Sequence, residues 1–213
     1  MSTPVYKYFG GEKMTGNFVL GGDAYWGDNC LHVTEDGHAV STSPFNPADD
    51  GSYTISIAFK YIHASTARRP LIGQSLNYDL LDNTNERFLI YTYNRAVYAS
   101  IKENGTVGSA HVTTVNGGSL VDGENYVVDL VVSPSSVTLY INGLLVTSKT
   151  YTYTAFTSTY MVGLSCYTSN SGVYSVGSGT FDVYAFNLYD RTLTPEEVET
   201  NFKAYNERFS LGI

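Results

Sequence analysis

The sequence predicts an all-β sandwich of two antiparallel sheets, finished by one short C-terminal helix, and three observations predict it. The first is composition: 19 Tyr, 10 Phe and 20 Gly against 15% charged residues is the make-up of aromatic and β-branched strands joined by glycine-rich turns. The second is a series of short strand-like runs, separated by turn residues, along most of the chain. The third is residues 187–209, which carry the start signals and periodicity of a helix.

Taken in order, residues 1–29 read as an arm or edge segment, with "VYKYF" as an edge strand and a glycine-punctuated loop around Trp26. Strand runs are expected at 30–33, 38–42, 52–62, 70–74, 87–93, 96–102, 108–115, 125–133, 136–141, 144–154, 160–167 and 181–189. Residues 30–213 are thus expected to form a single domain, a size at which one core can be well buried. In "SYTISIAFKY", Tyr53, Ile55, Ile57 and Phe59 alternate with Thr54, Ser56, Ala58 and Lys60, so the first set is expected to face the core. Asn142-Gly143 and Asn104-Gly105 carry the residue pair favoured in type I′ hairpin turns. "TYTYTAFTSTY" alternates hydroxyl and aromatic side chains, which in a strand would put Tyr151, Tyr153 and Ala155 on one face.

The helix is expected over about residues 195–208. Thr194 is its N-cap, Pro195 its first residue and Glu197 the reciprocal partner of a capping box, with Leu193 and Val198 as a hydrophobic staple. Val198, Phe202, Tyr205 and Phe209 form one apolar stripe. A helix this short does not hold its shape alone, so the stripe is expected to dock on the sandwich rather than on another chain.

These residues carry a resemblance. "FNLYDRTLTPEEVETNF", preceded by "YTISIAFKY" and "VVDLVVSPSSVTLYINGLLV", resembles the concanavalin A-like, laminin G-like jelly-roll family, in which a final strand leads through an acidic pair into a short helix. "NFKAYNERF" is similar to the variant found in bacteriophage minor structural proteins. The resemblance implies a two-sheet antiparallel jelly roll. It further implies a lectin-like domain of a virion fibre, head-decoration or receptor-binding protein, assembled in host cytoplasm; a bacterial surface protein is the alternative origin. Many secreted members carry Asp-Glu where this chain has Tyr184-Ala185, and the acidic residue helps to hold calcium, so the departure argues against a metal.

The charge pattern narrows the partners. A net charge of -8 and a pI near 4.8 argue against nucleic acid, which needs clustered Lys and Arg; Arg68-Arg69 is the only basic doublet. No apolar run approaches the roughly 20 residues that span a bilayer, and the sequence shows no export signal. Cys30 and Cys166 are expected to be buried thiols. The histidines 32, 38, 63 and 111 have no ligand spacing, and no pair of carboxylates has the strand spacing of a glucanase, so no enzyme is expected. No cofactor is expected either. Calcium is the one candidate, because 45–51, 78–87 and 121–126 supply Asp and Asn oxygens, although Asp and Asn are equally good turn formers.

The candidate ligand-binding residues lie in "NYDLLDNTNERFLIYTYNR": Tyr78, Asp79, Asp82, Asn83, Asn85, Arg87, Tyr91 and Tyr93. Tyrosine rings stack on the C–H faces of sugars while amides, carboxylates and guanidinium groups bond the hydroxyls. Leu89, Tyr91 and Tyr93 share a strand face with Arg87, opposite Phe88 and Ile90. A host-surface glycan is therefore the expected partner. The other reading is that these tyrosines contact another virion protein or a second copy of the chain.

Overall fold

The computed structural model describes residues 6–9, 18–27, 29–47, 50–62, 67–77, 80, 85–106, 108, 112–176 and 179–213. Strands are numbered in chain order. The first sheet is ordered β13 (Leu144–Thr150), β12 (Ser136–Ile141), β11 (Asn125–Val132), β6 (Tyr53–Tyr61), β17 (Phe181–Tyr189), β4 (Leu31–Val33) and β3 (Tyr25–Trp26), and β1 (Tyr6–Phe9) also pairs with β17. The second is ordered β10 (Val112–Gly117), β9 (Ala96–Lys102), β8 (Phe88–Tyr93), β7 (Arg69–Gln74), β14 (Met161–Leu164), β5 (His38–Pro44) and β2 (Phe18–Gly21). A separate hairpin joins β15 (Cys166–Ser169) to β16 (Gly172–Val176). Every pairing is antiparallel, and the described parts of residues 1–29 supply strands to both sheets.

The core lies between the sheets. Tyr53, Ile55, Ile57 and Phe59 of β6 meet Phe88 and Ile90 of β8 and Val97, Ala99 and Ile101 of β9 there, as their alternation predicts. Strand β17 departs from strict alternation. Phe181, Val183, Phe186 and Leu188 all point inward, because a bulge between Val183 and Ala185 resets the phase and puts Tyr184 and Ala185 together on the outer face.

Local turn chemistry accounts for the other differences from the sequence reading. Asn142 and Gly143 take φ of 52° and 74°, the left-handed pair of a type I′ turn. Asn104-Gly105 takes no left-handed pair and lies in the longer loop between β9 and its antiparallel neighbour β10; the tight turn lies earlier, where Asn94 and Arg95 have φ of 49° and 60° between β8 and β9. The expected run 160–167 is two strands, broken at Ser165, whose φ is 56°. Residues 151–160 form no strand: Tyr151 joins the core and Tyr153 packs beside it, their amides bonded to the Ser135 and Pro134 carbonyls, and the Thr154 amide to that of Glu103, rather than in a ladder.

The helix α1 (Pro195–Phe209) starts at Thr194 with both halves of the capping box formed. Arg191 adds a two-pronged bond to the Glu197 carboxylate at 2.7 Å on each side, which with the N-cap amide lowers Glu197 to about 2. The helix docks on the outer face of the first sheet. Val198 packs with Leu193, Val131 and Tyr189; Tyr205, Phe202 and Phe209 pack over Ala58, Val127 and Ala185. Burying four such side chains contributes on the order of 5 kcal/mol before the entropy of ordering is subtracted.

That contact encloses a polar layer. Thr54 bonds the backbone at both Arg191 and Leu193, Asn187 donates to the Tyr205 hydroxyl, and Ser56 donates to Asp129. Burial raises the Asp129 carboxyl from its ordinary 3.8 to about 7, against the opposing pull of the Ser56 bond. At acid pH below both values the group is protonated whether the chain is folded or not. Between 3.8 and about 7 only the unfolded chain ionises it, so folding loses stability across that window, on the order of 4 kcal/mol at most. Replacing Asp129→Asn removes this term. Urea unfolding at pH 4, 6 and 8 should show the variant gaining on the wild type by roughly 3–4 kcal/mol from pH 4 to pH 8.

Candidate functional site

With one face of the first sheet in the core and its central strands covered by α1, the broad aromatic surface is the outer face of the second sheet. Strand alternation puts Leu89 and Tyr91 of β8 there, beside Tyr93, Tyr98, Val112 and Leu80, while Phe88 and Ile90 go to the core. Antiparallel pairing sets Tyr91 directly opposite Tyr98. Their rings stack at 5.3 Å, and Tyr93 meets Tyr98 edge-on at 5.7 Å. The type I′ turn at Asn94-Arg95 fixes this register.

Hairpin β15–β16 supplies the wall. Its backbone is anchored where the Thr168 amide donates to the Ser75 carbonyl at 2.7 Å and the Ser165 amide to the Leu71 carbonyl at 3.1 Å. Tyr167 then packs on the tyrosine cluster, and Tyr174 stands 65% exposed. Between sheet and hairpin opens a cavity of about 530 Å³ lined by Arg68, Leu76, Asn77, Tyr93, Tyr167, Tyr174 and Ser175. The Arg68 guanidinium lies 5.3 Å from the centre of the Tyr93 ring. The volume suits a small ligand. The lining offers aromatic faces for C–H stacking, a guanidinium and an amide for oxygen atoms, and no carboxylate among the described residues.

A buried ion pair holds the rim. Glu86 and Lys102, both with fully buried side chains, face each other at 4.0 Å. Lys102 also donates to the Leu80 carbonyl at 2.7 Å. Glu86 accepts from the Leu76 amide at 3.1 Å and the Ser75 hydroxyl at 3.3 Å, which fixes the segment that presents Leu76 and Asn77 to the cavity.

The sequence-derived candidates divide. Tyr93 lines the cavity. Tyr91 is its support, only 6% exposed. Arg87 does not follow the alternation: its side chain is buried, donating to Asn46 and to the Phe156 carbonyl and lying 4.4 Å over the Phe156 ring. Only Nη2 makes those bonds, while Nε and Nη1 are buried without a hydrogen-bond partner among the described residues; the group packs at the sheet end and does not reach the cavity. Asn85 accepts a bond from Ser158 through its carbonyl, one strand-end away. Tyr78, Asp79, Asp82 and Asn83 lie outside the described residues, as do His63, His111 and parts of two candidate calcium loops. Sequence reasoning missed Arg68, Asn77, Tyr167 and Tyr174. The signal for the last two was available: Tyr167 and Tyr174 flank "TSNSGV", a turn-rich stretch between strand residues.

The chain matches the family model of the concanavalin A-like lectin/glucanases superfamily over residues 34–199, and it belongs to that family. Solved structures with the same fold include the receptor-binding domain of the botulinum neurotoxin C/D mosaic serotype, at a TM-score of 0.69 and 11% identity, covering 94% of this chain and 51% of that one. The botulinum neurotoxin serotype D ligand-binding domain, solved in complex with N-acetylneuraminic acid, superposes at 0.67 with 10% identity and covers 94% and 50%. The botulinum neurotoxin DC binding domain in complex with SialylT gives 0.65 and 12%, covering 88% and 46%. This chain thus spans about half the length of those toxin domains, and at such identity they establish the fold alone. No curated protein matches the chain.

Glu86→Gln or Lys102→Met alone should each destabilise the chain by about 3–5 kcal/mol, because one buried charge then faces a neutral group. The double variant should cost less than the sum of the two, measured as a double-mutant cycle by urea denaturation.

Proposed function

We propose that the chain is a non-enzymatic, lectin-like domain of a bacteriophage virion, a fibre, head-decoration or receptor-binding component, that binds host-surface carbohydrate. The observation that carries this reading is the tyrosine-lined cavity with Arg68 and Asn77 at its rim: flat aromatic faces beside fixed donors suit a pyranose ring, whose C–H face is apolar and whose edge is polar. Membership of a lectin-containing superfamily and the complexes of toxin domains of the same fold with N-acetylneuraminic acid and with SialylT support the ligand class. The virion setting, with assembly in host cytoplasm, rests on the resemblance of residues 201–209, "NFKAYNERF", to the variant found in phage minor structural proteins.

A second reading, a protein-interaction module, is favoured by β13. This strand, outermost in its sheet among the described residues, exposes Leu144, Leu145 and Val146, at 72%, 62% and 37%, three apolar residues at a sheet edge. Light scattering after size-exclusion separates the two: a stable oligomer that dissociates on Leu145→Lys would favour the second.

The test of the first is a glycan array followed by calorimetry. Tyr93→Ala and Tyr174→Ala should each weaken binding of the best array ligand about tenfold, the loss of one stacking contact, with unfolding midpoints little changed for the exposed Tyr174. Binding unaffected by either substitution would place the ligand elsewhere. No ligand at millimolar sugar would remove the carbohydrate role.

A further inference from the structure

On the opposite sheet, three side chains of different chemistry converge. Leu31 and Val33 of β4 point into the core, so His32 and, two residues before it, Cys30 face outward. The register sets Asp182 of β17 directly across from His32. His32 Nδ1 lies 2.5 Å from Asp182 Oδ1. Cys30 Sγ lies 3.5 Å from Nε2 and 3.9 Å from Nδ1 of the same ring. One sulfur, one nitrogen and one oxygen donor thus stand within 4.8 Å of one another.

We propose that Cys30, His32 and Asp182 bind a divalent transition metal, of which zinc fits the donors best. Thiolate, imidazole and carboxylate are the three ligand types zinc uses, with bonds of about 2.3, 2.0–2.1 and 2.0–2.2 Å, and at tetrahedral angles such bonds set donor atoms roughly 3.5 Å apart. The 3.9 Å between Sγ and Nδ1, the nitrogen that faces the carboxylate, is close to this. An entering ion replaces the proton between imidazole and carboxylate and that of the thiol, and side-chain torsions alone open the shorter contact. A hard cation such as calcium would not choose sulfur.

The surroundings fit such a site. Tyr25 stacks on His32 at 4.7 Å, covering one ring face and fixing its plane. The Gly27 backbone comes so close that a Cβ there would sit 2.3 Å from His32 Nε2, which leaves no room for a side chain. Cys30 is 7% exposed, whereas the His32 and Asp182 side chains keep 31% and 17%, enough for an ion to enter with solvent completing the shell. Cys166, the other thiol, is no part of this: burial raises it to about 12.

The test uses the full chain, stripped with a chelator. The wild type should take up one equivalent of Zn²⁺ at micromolar or tighter affinity in competition with a chromophoric chelator. Co²⁺ should give a thiolate charge-transfer band. Cys30→Ser should abolish that band, and His32→Gln and Asp182→Asn should weaken Zn²⁺ uptake at least tenfold, while Cys166→Ser changes neither. Circular dichroism of each stripped variant checks folding. Alkylation needs no variant at all: Zn²⁺ should protect Cys30 of the wild type from iodoacetamide, read by mass spectrometry. No stoichiometric uptake by the wild type, or uptake and protection independent of Cys30, would overturn the site.

Discussion

Strands β11, β6 and β17 are buried on both faces, and the rest of the molecule is arranged around that constraint. Their inner faces carry Ile55, Ile57, Val128, Leu130, Phe186 and Leu188 into the sandwich core. Their outer faces would be a stripe of Ala58, Val127, Val131 and Ala185 interrupted by Thr54, Ser56, Asp129 and Asn187, and neither set is tolerable in isolation. The apolar residues need cover, and the polar ones need partners once covered. Helix α1 answers both demands, bringing Val198, Phe202 and Phe209 to the first set and the Tyr205 hydroxyl and the capped backbone near Leu193 to the second. Asp129 is the residue least well served, and its raised pKa is the sign of it.

Open surface is displaced by that arrangement. The helix covers the middle of the first sheet and leaves its two edges, at β13 and at β3–β4, more open. Among the described residues no helix covers the second sheet, and its outer face is finished by tyrosines that stack on one another and by hairpin β15–β16. A tyrosine suits such a place because it packs like an apolar residue and leaves a hydroxyl at the surface. Glu86, paired with Lys102, also accepts from the Leu76 amide, so the buried ion pair is bonded directly to the rim of the cavity.

The core and the helix were legible in the sequence because each rests on a local pattern: alternation in β6, and Thr-Pro-Glu-Glu followed by a stripe at helical spacing in α1. The site was legible in part. The outward face of β8 followed from alternation, and it led to Tyr93. Arg87 was lost to that reasoning because alternation stops at the strand end, where its guanidinium turns toward Asn46 and Phe156. The cavity itself joins residues 68, 77, 93, 167 and 174, an encounter set by β15 crossing to the Ser75 end of β7, which no local pattern encodes. The turn at Asn94-Arg95 was hidden in the same way, since arginine is a poor residue for positive φ and only the surrounding ladder holds it there.

Native-state hydrogen exchange tests the central constraint most directly. If α1 and the two-sided strands form one unit, the amides of Val198 to Tyr205 should exchange at the same free energy as those of β6 and β11, by global unfolding, while β16 opens more readily. Exchange of the helix amides well below that level, with β6 and β11 still protected, would show the first sheet to be stable without its cover and would contradict the account.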